Sequence, residues 1–160
     1  MQTMWAPWRI SYILDEKEDG CIFCNRKNHG GDREHLVLQR GEHSIVMLNK
    51  YPYNNGHLMI APKRHVGFLE DLKPEEMNDL MATIQRCVVL LKKVLSPHGF
   101  NIGANMGKVA GAGVEDHLHF HIVPRWEGDT NFMPVLADTR VIPEHLAETY
   151  NRLSQVFKDF

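Results

Sequence analysis

Cysteine is scarce, a long hydrophobic run is missing, and neither sign of charge prevails. Three cysteines in 160 residues are too few, and odd in number, for a disulfide framework of the secreted kind. No apolar stretch approaches the roughly 18 residues that a membrane-spanning helix requires. The opening Met1-Gln2-Thr3-Met4-Trp5-Ala6-Pro7-Trp8-Arg9 has no charged region followed by an apolar one, so it does not read as a secretion signal. A cytoplasmic protein with no membrane partner is expected. Eighteen Lys and Arg stand against 20 Asp and Glu, a net charge of −2, which argues against a protein that coats nucleic acid. A local pocket for one phosphorylated small molecule is compatible with that balance.

What the chain does have is histidine, 10 of them, and enough apolar residues (43%) to bury a continuous core in one domain over 1–160. Residues 1–20 lack a clear period and read as an N-terminal arm, packed on the domain or on a second subunit through Trp5, Pro7 and Trp8. Strands are predicted over 35–40, 43–48 and 57–61, with a tight turn at Gly41-Glu42 and a turn-rich loop over 49–56. Pro74-Glu75-Glu76 opens a long helix whose apolar positions Met77, Leu80, Met81, Ile84, Val88, Leu91 and Leu95 recur at helical spacing. Two more strands are predicted over 100–106 and 117–124, separated by the glycine-rich loop 107–113. Leu146, Tyr150, Leu153 and Phe157 support a closing amphipathic helix. The expected class is α+β, an antiparallel sheet of about five strands with one long helix and a C-terminal helix.

His117-Leu118-His119-Phe120-His121-Ile122-Val123 carries the most chemical information. Side chains alternate along a strand, so His117, His119 and His121 share one face while Leu118, Phe120 and Ile122 take the core face. A lone histidine is usually structural; three at alternate positions point to chemistry. Imidazole can attack phosphorus and divide one hard displacement into two easier ones. That requires a free ring nitrogen, with the proton held on the other. It also requires donors for the phosphate charge, which backbone N–H groups around Gly111 and Gly113 can supply. Metal binding by the row is the competing chemistry.

The same segment resembles the H-φ-H-φ-H-φ-φ signature of the histidine-triad (HIT) superfamily, with Pro124-Arg125 following as in many members. The resemblance extends to Leu48-Asn49-Lys50 and Gly56-His57-Leu58-Met59-Ile60-Ala61-Pro62-Lys63-Arg64-His65. Met4-Trp5-Ala6-Pro7-Trp8-Arg9 and Trp126-Glu127-Gly128-Asp129-Thr130-Asn131-Phe132 are similar to the bacterial branch that includes diadenosine tetraphosphate phosphorylases. The resemblance implies that His119 is the nucleophile, that His121 sits beside the phosphates, and that His117 orients its neighbour or binds metal. It implies that Asn49 contacts the ribose, that Asn105 lies at the phosphate, and that the protein is a homodimer. Many members carry glutamine and serine four and three residues before the first histidine, where this chain has Gly113 and Val114. That departure favours an acceptor other than water, such as inorganic phosphate.

Cys21-Ile22-Phe23-Cys24 has the spacing of half a tetrahedral zinc site, or of a redox pair. The resemblance implies His65 and His117 as the other half of a structural zinc site. Cys87 lies in the apolar stripe and reads as a core residue. His57 reads as structural, and Arg125 more as an ion-pair partner than a phosphate ligand. Trp126 and the loop to Phe132 would cover a nucleobase or pack at a subunit interface. The expected function is nucleotidyl transfer from a dinucleoside polyphosphate, diadenosine tetraphosphate giving ATP and ADP. A hydrolase that releases AMP from dinucleoside polyphosphates or nucleoside phosphoramidates is the alternative. A metal-dependent hydrolase and a non-catalytic nucleotide-binding protein are the remaining classes.

Overall fold

In the computed structural model, residues 20–28, 30–129 and 142–158 are described. Apart from Gly20, the N-terminal arm falls outside them, as do His29 and Phe132. In chain order the elements are α1 (Ile22–Arg26), β1 (Val37–Arg40), β2 (Ser44–Leu48), β3 (Leu58–Pro62), a 3-10 turn (Leu69–Asp71), α2 (Pro74–Leu95), β4 (Gly99–Ala104), a second 3-10 turn (Lys108–Ala110), β5 (Phe120–Arg125) and α3 (Leu146–Lys158). The five strands form one antiparallel sheet in the order β1-β2-β3-β5-β4. This is the α+β arrangement expected from the sequence.

Central strands β2 and β3 are buried on both faces. Period-two alternation sorts their side chains into two cores. Val46, Leu48, Leu58, Ile60 and Ile122 pack under α2 and α3, with Leu80, Ile84, Cys87, Leu91, Leu153 and Phe157 above them. On the opposite face Ile45, Met47, Met59 and Ala61 pack against Phe23 of α1. Because Met59 pairs with His121 across the sheet, the histidines belong to this second face. Each apolar side chain fully withdrawn from water contributes about 1.5–3 kcal/mol, so the two layers fix the strand register between them.

Pro74 and the acidic first turn start α2, where Glu76 accepts the Lys73 backbone N–H at 2.9 Å. The buried stripe of α2 departs from the expected one around Met81. Met81 is 49% exposed, and Thr83 and Leu90 are buried beside Cys87, which is the core residue expected. Thr83 is drawn inward by Ser44, whose hydroxyl lies 3.1 Å away and donates to Asp79 at 2.6 Å. Burial pushes the Cys87 thiol up to about 12, so it behaves as an inert core group.

β5 begins three residues later than predicted. Its pairing with β3 runs only from Phe120 to Ile122, and farther along β3 stands Pro62, which has no N–H to extend a ladder. The backbone N–H of Leu118 turns instead to the Val66 carbonyl at 2.6 Å. His117 and His119 therefore precede the strand, still extended enough to keep Leu118 in the core at 1% exposure.

Candidate active site and metal centre

The histidine face is not open. His117 and His119 are buried at 1% and 4% exposure, and His121 is half-buried. Phe23 lies over the first two, 5.0 Å from the His117 ring and 5.1 Å from that of His119. Burial pushes the imidazole pKa values down, to about 4 for His117 and His121, with neighbouring imidazoles adding to the effect. His119 is lowered by the same desolvation, partly offset by its own hydrogen bond. All three rings are neutral at pH 7, so each has one protonated nitrogen and one lone pair.

Hydrogen bonds decide which nitrogen is which. Nδ1 of His119 lies 2.8 Å from the His117 carbonyl oxygen, an acceptor only. The proton is therefore on Nδ1, and Nε2 carries the lone pair. Nε2 of His117 lies 2.7 Å from the Pro62 carbonyl, so its proton is on Nε2 and its free lone pair is on Nδ1. His117 and His119 thus carry opposite tautomers.

His121 takes its tautomer from His57, whose Nε2 lies 2.8 Å from His121 Nδ1. The Tyr53 backbone N–H donates to His57 Nδ1 at 3.0 Å, and Asn49 Nδ2 lies 3.4 Å from the same atom. His57 must then donate from Nε2, and His121 must accept at Nδ1 and present an Nε2–H. His57 is wholly buried, with its pKa pushed down to about 3 by burial and the nearby histidines. This accords with the structural role expected of it, and its hydrogen bonds also set the tautomer of His121. Counting back by two from Met59, which pairs with His121, would have placed it on the histidine face. The Tyr53 ring covers this pair, 4.6 Å from His57 and stacked 5.8 Å from His121.

His117 Nδ1 points at the CxxC pair. It lies 3.1 Å from Cys21 Sγ, 3.6 Å from Cys24 Sγ and 3.2 Å from His65 Nδ1, and Cys24 Sγ lies 3.3 Å from His65 Nδ1. All four donor atoms fall within 4.8 Å of one another. With Zn–S near 2.3 Å and Zn–N near 2.0–2.1 Å, a tetrahedral ion needs donors roughly 3.3–3.8 Å apart. The donor set and its tautomer fit such an ion. Burial raises the Cys24 thiol pKa and the adjacent Cys21 adds to it, so holding Cys24 as a thiolate calls for a cation beside it.

The other expected nucleotide contacts are less drawn together. Asn49 Oδ1 accepts the Tyr51 N–H at 2.9 Å, which ties this side chain to its own loop. Asn105 Nδ2 lies a long 3.5 Å from the Gly111 carbonyl, and Gly111 adopts φ +86° in the left-handed region that favours glycine. Gly113 is exposed with open space around it. Val114 packs against the second core rather than toward a ligand. Arg125 pairs with Asp129 at 2.6 and 2.9 Å, the structural role expected of it.

An antiparallel sheet under two helices, with three alternating histidines on its other face, defines a histidine-triad protein. The chain belongs to the HIT domain family, whose model matches residues 31–128. An AP-4-A phosphorylase of Mycobacterium tuberculosis is 40% identical over 162 residues, covering 96% of this chain and 83% of that protein. An asymmetrical bis(5'-nucleosyl)-tetraphosphatase of Schizosaccharomyces pombe is 37% identical over 58% of this chain and 50% of its own length. Among solved structures, a zinc-bound histidine triad family protein from Mycobacterium smegmatis superposes with TM-score 0.68 and 28% identity, covering 87% of this chain and 94% of that one.

Proposed function

We propose that the protein is a nucleotidyl transferase acting on dinucleoside polyphosphates, a diadenosine tetraphosphate phosphorylase that yields ATP and ADP. The observation that carries the reading is the His119 tautomer. With its proton donated to the His117 carbonyl at 2.8 Å, Nε2 is held as a free nucleophile in a buried, neutral ring. The 40% identity to an AP-4-A phosphorylase over nearly the whole chain supports the substrate class.

In this reading His119 Nε2 attacks the α-phosphorus of one adenylyl group. The bond to the bridging oxygen breaks, ATP leaves, and adenylyl-histidine remains. The Nε2–H of His121 donates to the phosphate oxygens on which charge gathers. Inorganic phosphate then attacks the same phosphorus, ADP leaves, and His119 recovers its lone pair. Asn49 and Asn105 would contact ribose and phosphate, with backbone N–H groups around Gly111 and Gly113 completing the anion site. The absence of polar side chains at Gly113 and Val114 supports phosphate, rather than water, as acceptor.

Cys21, Cys24, His65 and His117 would hold a structural zinc ion. When bound it ties α1 to the histidine strand and fixes the His117 ring, whose carbonyl orients His119. No described helix is long and apolar enough to cross a membrane, and the three cysteines are free thiols; both accord with a cytoplasmic protein. Residues 1–160 would form one domain that pairs as a homodimer. Edge strand β4, with Ile102 at 48% exposure, and exposed Val89 of α2 offer the surface.

Incubation with diadenosine tetraphosphate, with and without inorganic phosphate, tests the reading. ADP and ATP formed only with phosphate are expected. AMP and ATP formed without phosphate would make the protein a hydrolase, the activity carried in name by the Schizosaccharomyces pombe relative.

A further inference from the structure

The proton on His121 Nε2 is set at a distance from the reacting centre. It depends on His57, whose Nδ1 accepts the Tyr53 N–H at 3.0 Å, with the weaker Asn49 Nδ2 contact at 3.4 Å beside it. That N–H reaches the ring only while the loop between Asn49 and His57 keeps its shape. A two-residue corner holds the loop. Asn54 Nδ2 donates to the Pro124 carbonyl at 3.1 Å and to Asp129 Oδ2 at 2.8 Å. Asn55 is 9% exposed and turns the other way, toward α3. Its Nδ2 donates to Glu144 Oε2 at 3.2 Å, and its Oδ1 accepts from the Thr149 hydroxyl at 2.8 Å. That hydroxyl also lies 2.7 Å from Glu144 Oε2, and Arg152 donates to the other carboxylate oxygen at 2.8 Å. Both ends of a buried amide are thus used, and each partner belongs to α3 or to the residues just before it.

We infer that Asn55, gripped by Glu144 and Thr149, is a positioning residue: it holds the loop whose Tyr53 amide dictates the His57 tautomer, and so keeps the His121 proton on Nε2. The C-terminal helix then has two duties, covering the core with Leu153 and Phe157 and steadying a hydrogen-bond relay that ends at the phosphate site. Alanine at position 55 would take one donor from the Glu144 carboxylate and leave the Thr149 hydroxyl to Glu144 Oε2 alone at 2.7 Å, with nothing joining either to the loop. The loop would lose its tether on that side, and His57 could then donate from either nitrogen. The catalytic consequence rests on the proposed transfer reaction; the tautomer itself does not.

Nitrogen-15 NMR of the imidazole rings in the full-length, substrate-free protein reads the tautomers directly. It is to be paired with steady-state kinetics on Asn55→Ala, Thr149→Val and Thr149→Ser. In the wild type, His57 and His121 should both be Nε2–H tautomers. Asn55→Ala and Thr149→Val should mix the tautomers of both rings and leave His119 unchanged. The same two variants should lower kcat on the order of tenfold while KM stays within about twofold. Thr149→Ser keeps the hydroxyl and should restore tautomers and rate together. Unaltered His57 and His121 tautomers in Thr149→Val would overturn the inference, as would a rate loss in Thr149→Ser as large as in Thr149→Val. Should Asn55→Ala fail to fold, the Thr149 pair decides alone. Mixed tautomers in a protein that transfers no nucleotide would sink the transferase reading and leave the positioning role standing. Active variants with wild-type tautomers would do the reverse.

Discussion

His117 and His119, two residues apart, are neutral histidines of opposite tautomer, and the proposed nucleophile rests on that arrangement. His119 is protonated on Nδ1 and His117 on Nε2, each against a backbone carbonyl. Replacing His119 with alanine should lower turnover by at least about a thousandfold while nucleotide binding, followed by calorimetry, persists. Survival of turnover would refute the assignment. Burial of these rings also has a pH signature. His57 and His121 have folded pKa values pushed down to about 3 and about 4, against roughly 6.5 when unfolded. Between those limits the unfolded chain binds more protons, so stability is full above about pH 6.5 and falls as pH drops toward 4. A thermal midpoint that stays flat across that window would show that the rings do not titrate as buried neutral groups.

At the scale of elements, α2 depends on a charged cap and on one glycine. Glu76 accepts the Lys73 N–H and two Arg64 nitrogens, at 2.8 and 2.7 Å, while Arg64 also donates to the Asp71 carbonyl. The Arg64 hydrogen bonds hold the Glu76 carboxyl down at about 2, opposed by its burial. A depressed carboxylate stabilises above its unfolded pKa, and that contribution is lost as pH falls from about 4.5 to about 2. Glu76→Gln should therefore destabilise by about 1–2 kcal/mol at neutral pH and remove part of the acid dependence in that lower window. Denaturant melts at both pH values check it. Gly56 has φ +72°, and a Cβ there would stand 2.4 Å from Leu95 Cδ1. Gly56→Ala should cost about 1–3 kcal/mol, and because His57 is the next residue, its activity loss should exceed what the fraction unfolded explains.

For the whole molecule, the proposed zinc site would join α1 to the histidine segment through Cys21, Cys24, His65 and His117. Removing zinc with a chelator, or replacing Cys24 with alanine, should release one zinc per chain and lower the thermal midpoint by several degrees, on the scale of about 4–8 °C per kcal/mol for a small domain. Metal analysis with calorimetry measures both; a chain that never carries zinc, or an unchanged midpoint, would dismiss the site. Ile102→Asp on the open edge of β4 should convert a dimer to a monomer in light scattering. A wild-type monomer would dismiss the homodimer.

Periodicity is a local property, and whatever rests on it alone was legible in the chain before it folded. Alternation in His117–Ile122 divides the histidine face from the core face, the spacing of Leu80, Ile84 and Leu91 lays α2 on the sheet, and Pro74 and Ser96-Pro97 bound it. The spacing of Cys21 and Cys24 offers half of a zinc site or a redox pair, and does not choose between them. Which atoms meet was left to the three-dimensional arrangement. The bond between Cys21 Sγ and His117 Nδ1 spans 96 positions, and the place of Met81 is taken by Thr83 because Ser44 waits across the interface. His57 reaches His121 only in space, Nε2 to Nδ1 at 2.8 Å, although the strand partner of His121 is Met59. A hydrogen bond is directional and short, so its partner is chosen by position in space rather than residue type; the tautomers on which the chemistry turns are settled by carbonyls and amides that no side-chain pattern reveals.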